Sequence, residues 1–412
     1  MSVFFKDISK NQLVSWEELI EDLKKIRSFN KYCKSEDYYE IFKNIIISML
    51  TGTEIVLLDS DFTDTELSAL MGSAAYDDAI IPVDGQITQL LDKSSLIEKL
   101  SHTNESWKVS LFTSGTTGVP KQVTHRYETL TRFVKLSDKH RDDIWGFAFN
   151  PTHMAGLQVF LQALLNGNSI IRLFGLSLNE IHQEIALNKI SNISATPTFY
   201  RLLLFPCEQQ FLTVKRLTSG GEKFNAVVSR RLKEVFPGAK LTNVYASTEA
   251  GTLFASEDDV FTVKAGFEDL VKEIDGELLI HKSLMANSSF PIDDWYNTGD
   301  LVEVITNTPL KFRFISRKTE MINVGGYKVN PQEVEEILQT ISGVEAVKVY
   351  SKSNSVLGNI VCCEIVCESG VELQESTIRL YLQTKLQEFK IPRIIRFVDN
   401  LETTRTGKLM RN

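Results

Sequence analysis

The sequence predicts an α/β protein. It comprises a large N-terminal domain of parallel-rich sheets flanked by helices, a small β-rich section within it, and a small α+β C-terminal domain. Three observations carry this expectation. Over much of residues 1–255, helix-period and strand-period segments alternate with short connections, the pattern of parallel strands joined by crossover helices. From about Phe261 to Ser316, strand patterns follow one another directly. After Arg317 a new α+β pattern starts, so the chain is divided at Lys318–Glu320 into residues 1–318 and 319–412.

The elements follow in order. Ser15-Trp16-Glu17-Glu18 has the form of a capping box, predicting a helix to about Phe29. DYYEIFKNIIISML predicts a second helix closed by Gly52. EIVLLD reads as a short apolar strand and TDTELSALM as a helix. WKVSLFT is strand-like, and HRYETLTRFVKL has a helical pattern. GLQVFLQALLN is a buried helix ended by Gly167, then SIIRLF is a strand. A second capping box at Ser177–Glu180 opens a helix, followed by the strand NISATP and the helix PTFYRLLL. VKRLTS and LTNVYAS are strands around the helix AVVSRRLKEVF. FTVKAG, GELLIHKSL, LVEVIT and KFRFIS supply the β-rich section. Asn330-Pro331-Gln332-Glu333 starts a helix with a cap and proline at its first position. EAVKVY, NIVCCEIVCE and RIIRFVD are strands around the helix ESTIRLYLQTKLQEF.

The chain has 412 residues, 43% hydrophobic and 24% charged, which is an ordinary globular composition. A net charge of −8 argues against broad nucleic-acid binding. The most apolar run, IFKNIIISML, is broken by Lys43 and Asn44, so no membrane insertion is expected. MSVFFKDISK lacks the pattern of a signal peptide. The five cysteines have no zinc-type spacing, and reduced thiols in a cytoplasmic protein are expected.

Five stretches carry candidate chemistry. TSGTTGVPK spans Thr113 to Lys121 and joins glycines, hydroxyls and a lysine. Such a backbone approaches an anion closely, and lysine adds a mobile charge suited to phosphate. The loop lacks the Walker pattern, and its expected setting is strand–loop–helix. NVYASTEAG presents Tyr245, Thr248 and Glu249 after a strand. An aromatic ring can stack on a base, and a hydroxyl and a carboxylate can hold phosphate and Mg²⁺. YNTGDLV presents Asp300, a hydrogen-bond acceptor suited to a ribose diol. SRKTEMINVGGYKVNPQEVEE offers Arg317, a rigid donor fork, and Gly325-Gly326. TTRTGKLMRN contains Lys408. Taken singly, each stretch also fits a turn, a linker or a solvated terminus.

In order and character the five stretches resemble the adenylate-forming (AMP-binding) superfamily, which includes acyl- and aryl-CoA ligases, peptide-synthetase adenylation domains and firefly luciferase. The resemblance runs from about Glu54 to the C-terminus. It implies activation of a carboxylic acid by ATP and Mg²⁺ as an acyl-AMP, followed by transfer to a thiol. Thr113, Ser114, Gly115, Thr116, Thr117, Gly118 and Lys121 would grip the ATP phosphates. Thr248 would contact the phosphates and Glu249 would hold Mg²⁺. Tyr245 would stack on adenine, beside Gly220, Gly221, Glu222 and Asn243. Asp300 and Arg317 would bind the ribose. Lys408 would reach in from the small mobile lid domain as a catalytic residue, Thr319 would be the hinge, and Gly325 and Gly326 would line the thiol path.

FNPTHMAGL bears on the acid. No acidic residue lies between Asp143 and Glu180 to pair an α-ammonium, which disfavours amino acids. The form containing His153 resembles acyl- and aryl-CoA ligases, so His153, Gly156, Ala246 and Gly251 would border the acyl group. A packing histidine is the competing reading of His153. The phosphate loop comes early, implying an abbreviated N-terminal subdomain. The implied partners are a small carboxylic acid and CoA, with a carrier-protein phosphopantetheine as the alternative thiol. A non-catalytic nucleotide-binding protein of the same fold is the third reading.

Overall fold

The computed structural model describes residues 2–71, 79–83, 87, 90–103, 106–113, 121–204, 207, 209–223, 226–288, 293–324, 327–354 and 358–402. An eight-stranded sheet dominates it. Its neighbours run, in order, Gly251–Ser256, Lys240–Ser247, Arg216–Gly220, Asn192–Ala195, Ile144–Phe147, Ser169–Arg172, Val3–Asp7 and Gln12–Ser15. The six inner strands are parallel and the two edges antiparallel. A five-stranded sheet holds Tyr32–Lys34, Ile55–Leu58, Lys108–Thr113, Lys121–Arg126 and Asn287–Ser288. The helices Tyr38–Thr51 and Met154–Leu165 bury their faces in one cluster with Phe5 and Ile170 of the first sheet and Ile55 and Val109 of the second. At its centre Phe42 stacks on Phe160 at 4.2 Å and 2°.

The antiparallel section is a second five-stranded sheet, Val260–Thr262, Leu310–Arg317, Trp295–Asn307, Glu277–His281 and Val271–Ile274. The last of these strands has no counterpart in the sequence reading. The C-terminal unit packs the helices Pro331–Leu338 and Glu375–Gln383 on a sheet centred on Gly358–Cys367. No helix among the described residues is long and apolar enough to cross a membrane.

Local chemistry sets the helix ends. Ser15 accepts from the Glu18 amide while Glu18 accepts from the Ser15 amide, completing the capping box. Asp37 accepts from the amides of Tyr39 and Glu40, and Gly52 closes that helix at φ 67°. The first helix stops at Lys25, short of Phe29, because Ser28–Asn30 pairs with Ile80–Pro82. The Val3–Asp7 strand was also absent from the sequence reading. It enters the large sheet beside Ser169–Arg172, and Asp7 pairs with Arg172 at 2.7 Å.

The expected strand–loop–helix setting of the phosphate loop is corrected. Lys121–Arg126 is a strand, antiparallel to Lys108–Thr113, with Lys121 opposite Thr113. The helix begins only at Tyr127. The reason lies in the alternation of QVTHR, which buries Val123 and His125 and leaves Gln122 and Thr124 half-buried and Arg126 exposed on the other face. A hairpin therefore supplies the loop ends, and no helix N-terminus follows directly.

Candidate functional site

A cleft of about 1630 Å³ opens between the carboxyl ends of the parallel strands, the antiparallel sheet and the C-terminal unit. This is where ligands bind in open α/β sheets. Lys121, His153, Thr248, Glu249, Arg317 and Thr319 all line it.

Asp300 and Arg317 are directly opposed across two antiparallel strands. Arg317 Nε donates to Asp300 Oδ1 at 2.9 Å, and Tyr245 Oη donates to Oδ2 at 2.5 Å. Asp300 is buried, whereas the Arg317 side chain is 50% exposed. Burial opposes the Arg317 charge, yet Asp300, Glu249 and Glu320 around it hold it firmly cationic. Burial and the Asp300 carboxylate push the Tyr245 hydroxyl far above the usual phenol range.

Tyr245 is packed among other aromatic rings. It is 9% exposed. Phe254, Phe261 and Phe312 crowd it within 6.3 Å, tilted or edge-on. Its hydroxyl holds the Asp300 carboxylate.

Thr248 and Glu249 sit in the turn joining Lys240–Ser247 to Gly251–Ser256. His125, wholly buried on the hairpin strand, holds this turn through Nε2 and the Thr248 carbonyl at 2.6 Å. Burial pushes its pKa down to about 4, so the ring is neutral and Nε2–H is the donor. The Glu249 carbonyl accepts from the Ala286 amide at 2.8 Å. The hairpin carrying Lys121 and the turn carrying Glu249 are thus braced together.

Gly220 and Gly221 line the cleft. A Cβ on Gly220 would come within 2.5 Å of Val244 Cγ2, and Gly221 has φ 84°. Glu222 is otherwise engaged. It accepts from the Thr198 amide at 2.9 Å and from the Thr198 hydroxyl at 2.7 Å, fixing the start of the Pro197–Leu203 helix. Asn243 Nδ2 donates to the Asp258 carbonyl at 3.1 Å, also a structural contact.

At the acyl end, His153 and Ala246 line the cleft. His153 Nε2 lies 3.1 Å from Asp59 Oδ1, out of line for a hydrogen bond. Asp59 accepts from Asn150 at 3.0 Å and from Thr152 at 2.5 Å. Gly156 packs closely: a Cβ there would meet the Asn150 carbonyl oxygen at 2.1 Å. Gly251 has φ +69° and abuts Gln158. Ser114, Gly115, Thr116, Thr117, Gly118, Gly325, Gly326 and Lys408 lie outside the described residues, as does the side chain of Thr113.

Two family models match the chain: "AMP-binding enzyme" over residues 49–268, and "AMP-binding enzyme C-terminal domain" over residues 333–408. The chain belongs to the AMP-binding enzyme family. Among its AMP-binding relatives is the 2-succinylbenzoate–CoA ligase of Listeria innocua, 26% identical over 88% of this chain and 83% of the relative. A propanoyl:CoA ligase of Mycobacterium tuberculosis acting on a methyl-dioxo-octahydroindenyl acid is 28% identical over 73% and 64%. The fold matches the o-succinylbenzoate CoA synthetase of Bacillus subtilis solved with its acyl-adenylate. That match has TM-score 0.70 and 17% identity, covering 99% of this chain and 94% of that one. ATP-bound MatB from Rhodopseudomonas palustris matches at TM-score 0.72 and 17% identity, with the same coverage.

Among the described residues, no group of three or more His, Cys, Asp or Glu converges as a metal site. Glu249, one of several carboxylates lining the cleft, nevertheless suits Mg²⁺, an ion usually bound through one or two carboxylates together with nucleotide phosphates and water. Sequence reasoning missed Asp59, His125 and a row of hydroxyls on the large sheet. The row had a signal: NISA, RLTSG and KLTN alternate polar and apolar residues, although strands covered on both faces usually read apolar throughout.

Proposed function

We propose that this chain is an AMP-forming acid–thiol ligase, joining a carboxylic acid to ATP as an acyl-AMP and then to CoA. The observation that carries this reading is the convergence of Lys121, Glu249 and Arg317 on one cleft, with Asp300 held by Arg317 and Tyr245 beside it. The acid's carboxylate oxygen attacks the α-phosphorus of ATP and pyrophosphate leaves. The thiol sulfur of CoA then attacks the acyl carbon, its proton is lost, and AMP leaves. Both partners in the first step are anions, so the protein's task is positioning and charge neutralisation. Lys121 and the loop before it take the β- and γ-phosphates, with Thr248 beside them. Mg²⁺ held by Glu249 would neutralise phosphate charge. Asp300 accepts from the ribose hydroxyls, with Arg317 fixing its carboxylate.

Residues 1–318 and 319–412 act as two units in this reading. Lys408 serves adenylation, Gly325 and Gly326 the thiol path, and Thr319 the hinge. The Listeria and Mycobacterium relatives, both named as CoA ligases, support CoA as the thiol. Five free cysteines support a cytoplasmic setting.

The test is pyrophosphate release across aliphatic, aryl and amino acids, with and without CoA. Glu249→Gln and Lys408→Ala are expected to lower ATP–pyrophosphate exchange at least about a hundredfold. Exchange that survives Lys408→Ala removes that residue's role. Acyl-AMP that ignores CoA but is consumed by a carrier protein transfers the second step to that acceptor.

A further inference from the structure

The large sheet presents a largely polar surface to the cleft along its central strands. On one face of its central strands, Ile193, Leu217 and Leu241 are buried in a hydrophobic cluster. The opposite pleats of the same strands line the cleft, polar at Asn192, Ser194, Arg216, Thr218, Lys240 and Thr242 and apolar only towards the carboxyl end, at Val244 and Ala246. Register places them in rows. Ser194 lies beside Thr218, and Thr218 beside Thr242, one hydroxyl on each of three adjacent parallel strands. One pleat deeper, Asn192, Arg216 and Lys240 form a second row.

These rows differ in what they have left to offer. Arg216 Nη1 donates to Asp143 at 2.8 Å and to Asn192 at 3.0 Å, and Lys240 pairs with Glu257 at 2.5 Å. In the deeper row Arg216 and Lys240 are therefore satisfied by protein, while Asn192 Nδ2 is buried without a partner. The hydroxyls of Ser194, Thr218 and Thr242 are not among the hydrogen-bonded groups of the described residues, nor among the buried side-chain atoms without a partner. They reach the cleft with donors available. The helix Met154–Leu165 contributes Met154, Ala155 and Val159 to the same cleft, with Gln158 and Gln162 between them. One wall is thus mixed and the other carries a line of hydroxyls.

From this geometry we infer that the acid substrate carries an oxygen-bearing, hydrogen-bond-accepting tail, bound by the hydroxyl row of Ser194, Thr218 and Thr242. The inference rests on the adenylation reading, which places the reacting carboxylate at the carboxyl ends of these strands beside Ala246. Thr242 precedes Ala246 by four residues on one strand, so the row lies about 13 Å deeper at about 3.3 Å per residue. A long apolar tail placed there would cover hydroxyls without pairing them, which is unfavourable. Carbonyl, hydroxyl and carboxylate tails share the accepting chemistry.

The test uses the full-length protein and pyrophosphate release with straight-chain acids of graded length, each in methyl-ended, hydroxyl-ended and carboxylate-ended form. Oxygen-ended acids are expected to exceed their methyl-ended counterparts at least about tenfold in kcat/KM, and only once the chain spans about 13 Å. Thr218→Val and Thr242→Val keep the shape and remove the hydroxyl; each is expected to cut that ratio about fivefold, whereas Thr218→Ser retains it. The ratio compares two acids on one preparation, so a general loss through misfolding cancels. Equal or better use of methyl-ended acids, or a ratio unmoved by both valine variants, overturns the inference while leaving adenylation intact. No pyrophosphate release with any acid overturns the adenylation reading, and this inference with it.

Discussion

His125 ties the hairpin strand to the turn bearing Thr248 and Glu249 through one hydrogen bond of 2.6 Å. Glutamine can place an amide nitrogen near the position of Nε2, whereas leucine cannot donate. His125→Leu is expected to raise KM for ATP–Mg²⁺ about tenfold or more, with His125→Gln recovering most of it in the exchange assay. A purely packing role predicts equal losses in the two variants. The same residue sets a pH dependence. Burial pushes its pKa from 6.5 down to about 4. Between those values the unfolded chain binds a proton that the native protein refuses, so stability present above pH 6.5 is lost as pH falls towards 4. The loss approaches about 3 kcal/mol. Urea unfolding at pH 7 and pH 4.5 measures it, and His125→Gln is expected to flatten the difference.

Gly156 exemplifies the element scale. The Met154–Leu165 helix starts against the turn formed by Asn150 and Pro151, and a Cβ at Gly156 would lie 2.1 Å from the Asn150 carbonyl oxygen. Backbone must shift to admit it. Gly156→Ala is expected to cost about 1–3 kcal/mol in chemical unfolding and to displace His153, with a larger loss in the acid's KM than in that of ATP. Elements with their own caps were legible in the sequence: Ser15 with Glu18, Asp37 with Gly52, and Asn330 with Pro331 all sit where their patterns placed them. The Lys121–Arg126 strand was not. Its five-residue alternation is short, the following helix pattern swallowed His125 and Arg126, and its identity depends on pairing with Lys108–Thr113. Val3–Asp7 is a similar case, since a lone short strand acquires its meaning only from Ser169–Arg172 beside it.

Across the whole molecule, remote segments are joined by buried charge. Asp7, wholly buried, pairs with Arg172 at 2.7 Å, and the Arg172 guanidinium lies 4.2 Å from the Tyr38 ring centroid. Lys6 also reaches Glu184 at 2.9 Å. Removing one member of such a buried pair leaves an uncompensated charge. Arg172→Met is expected to destabilise by about 3–5 kcal/mol, and adding Asp7→Asn to restore part of it, as measured by urea unfolding of both variants. No recovery in the double variant rejects the uncompensated-charge explanation.

The sequence by itself determined the α/β class, the succession of most elements, the family motifs and therefore the type of chemistry, because caps, periodicity and short motifs are encoded within a few residues. Tertiary structure decided which side chains share the cleft. It turned Tyr245 towards Asp300, engaged Glu222 with Thr198, and aligned Ser194, Thr218 and Thr242 into one wall. These relations join residues far apart in the chain, and strand register and burial, which only folding fixes, decide whether a polar group meets protein or cleft.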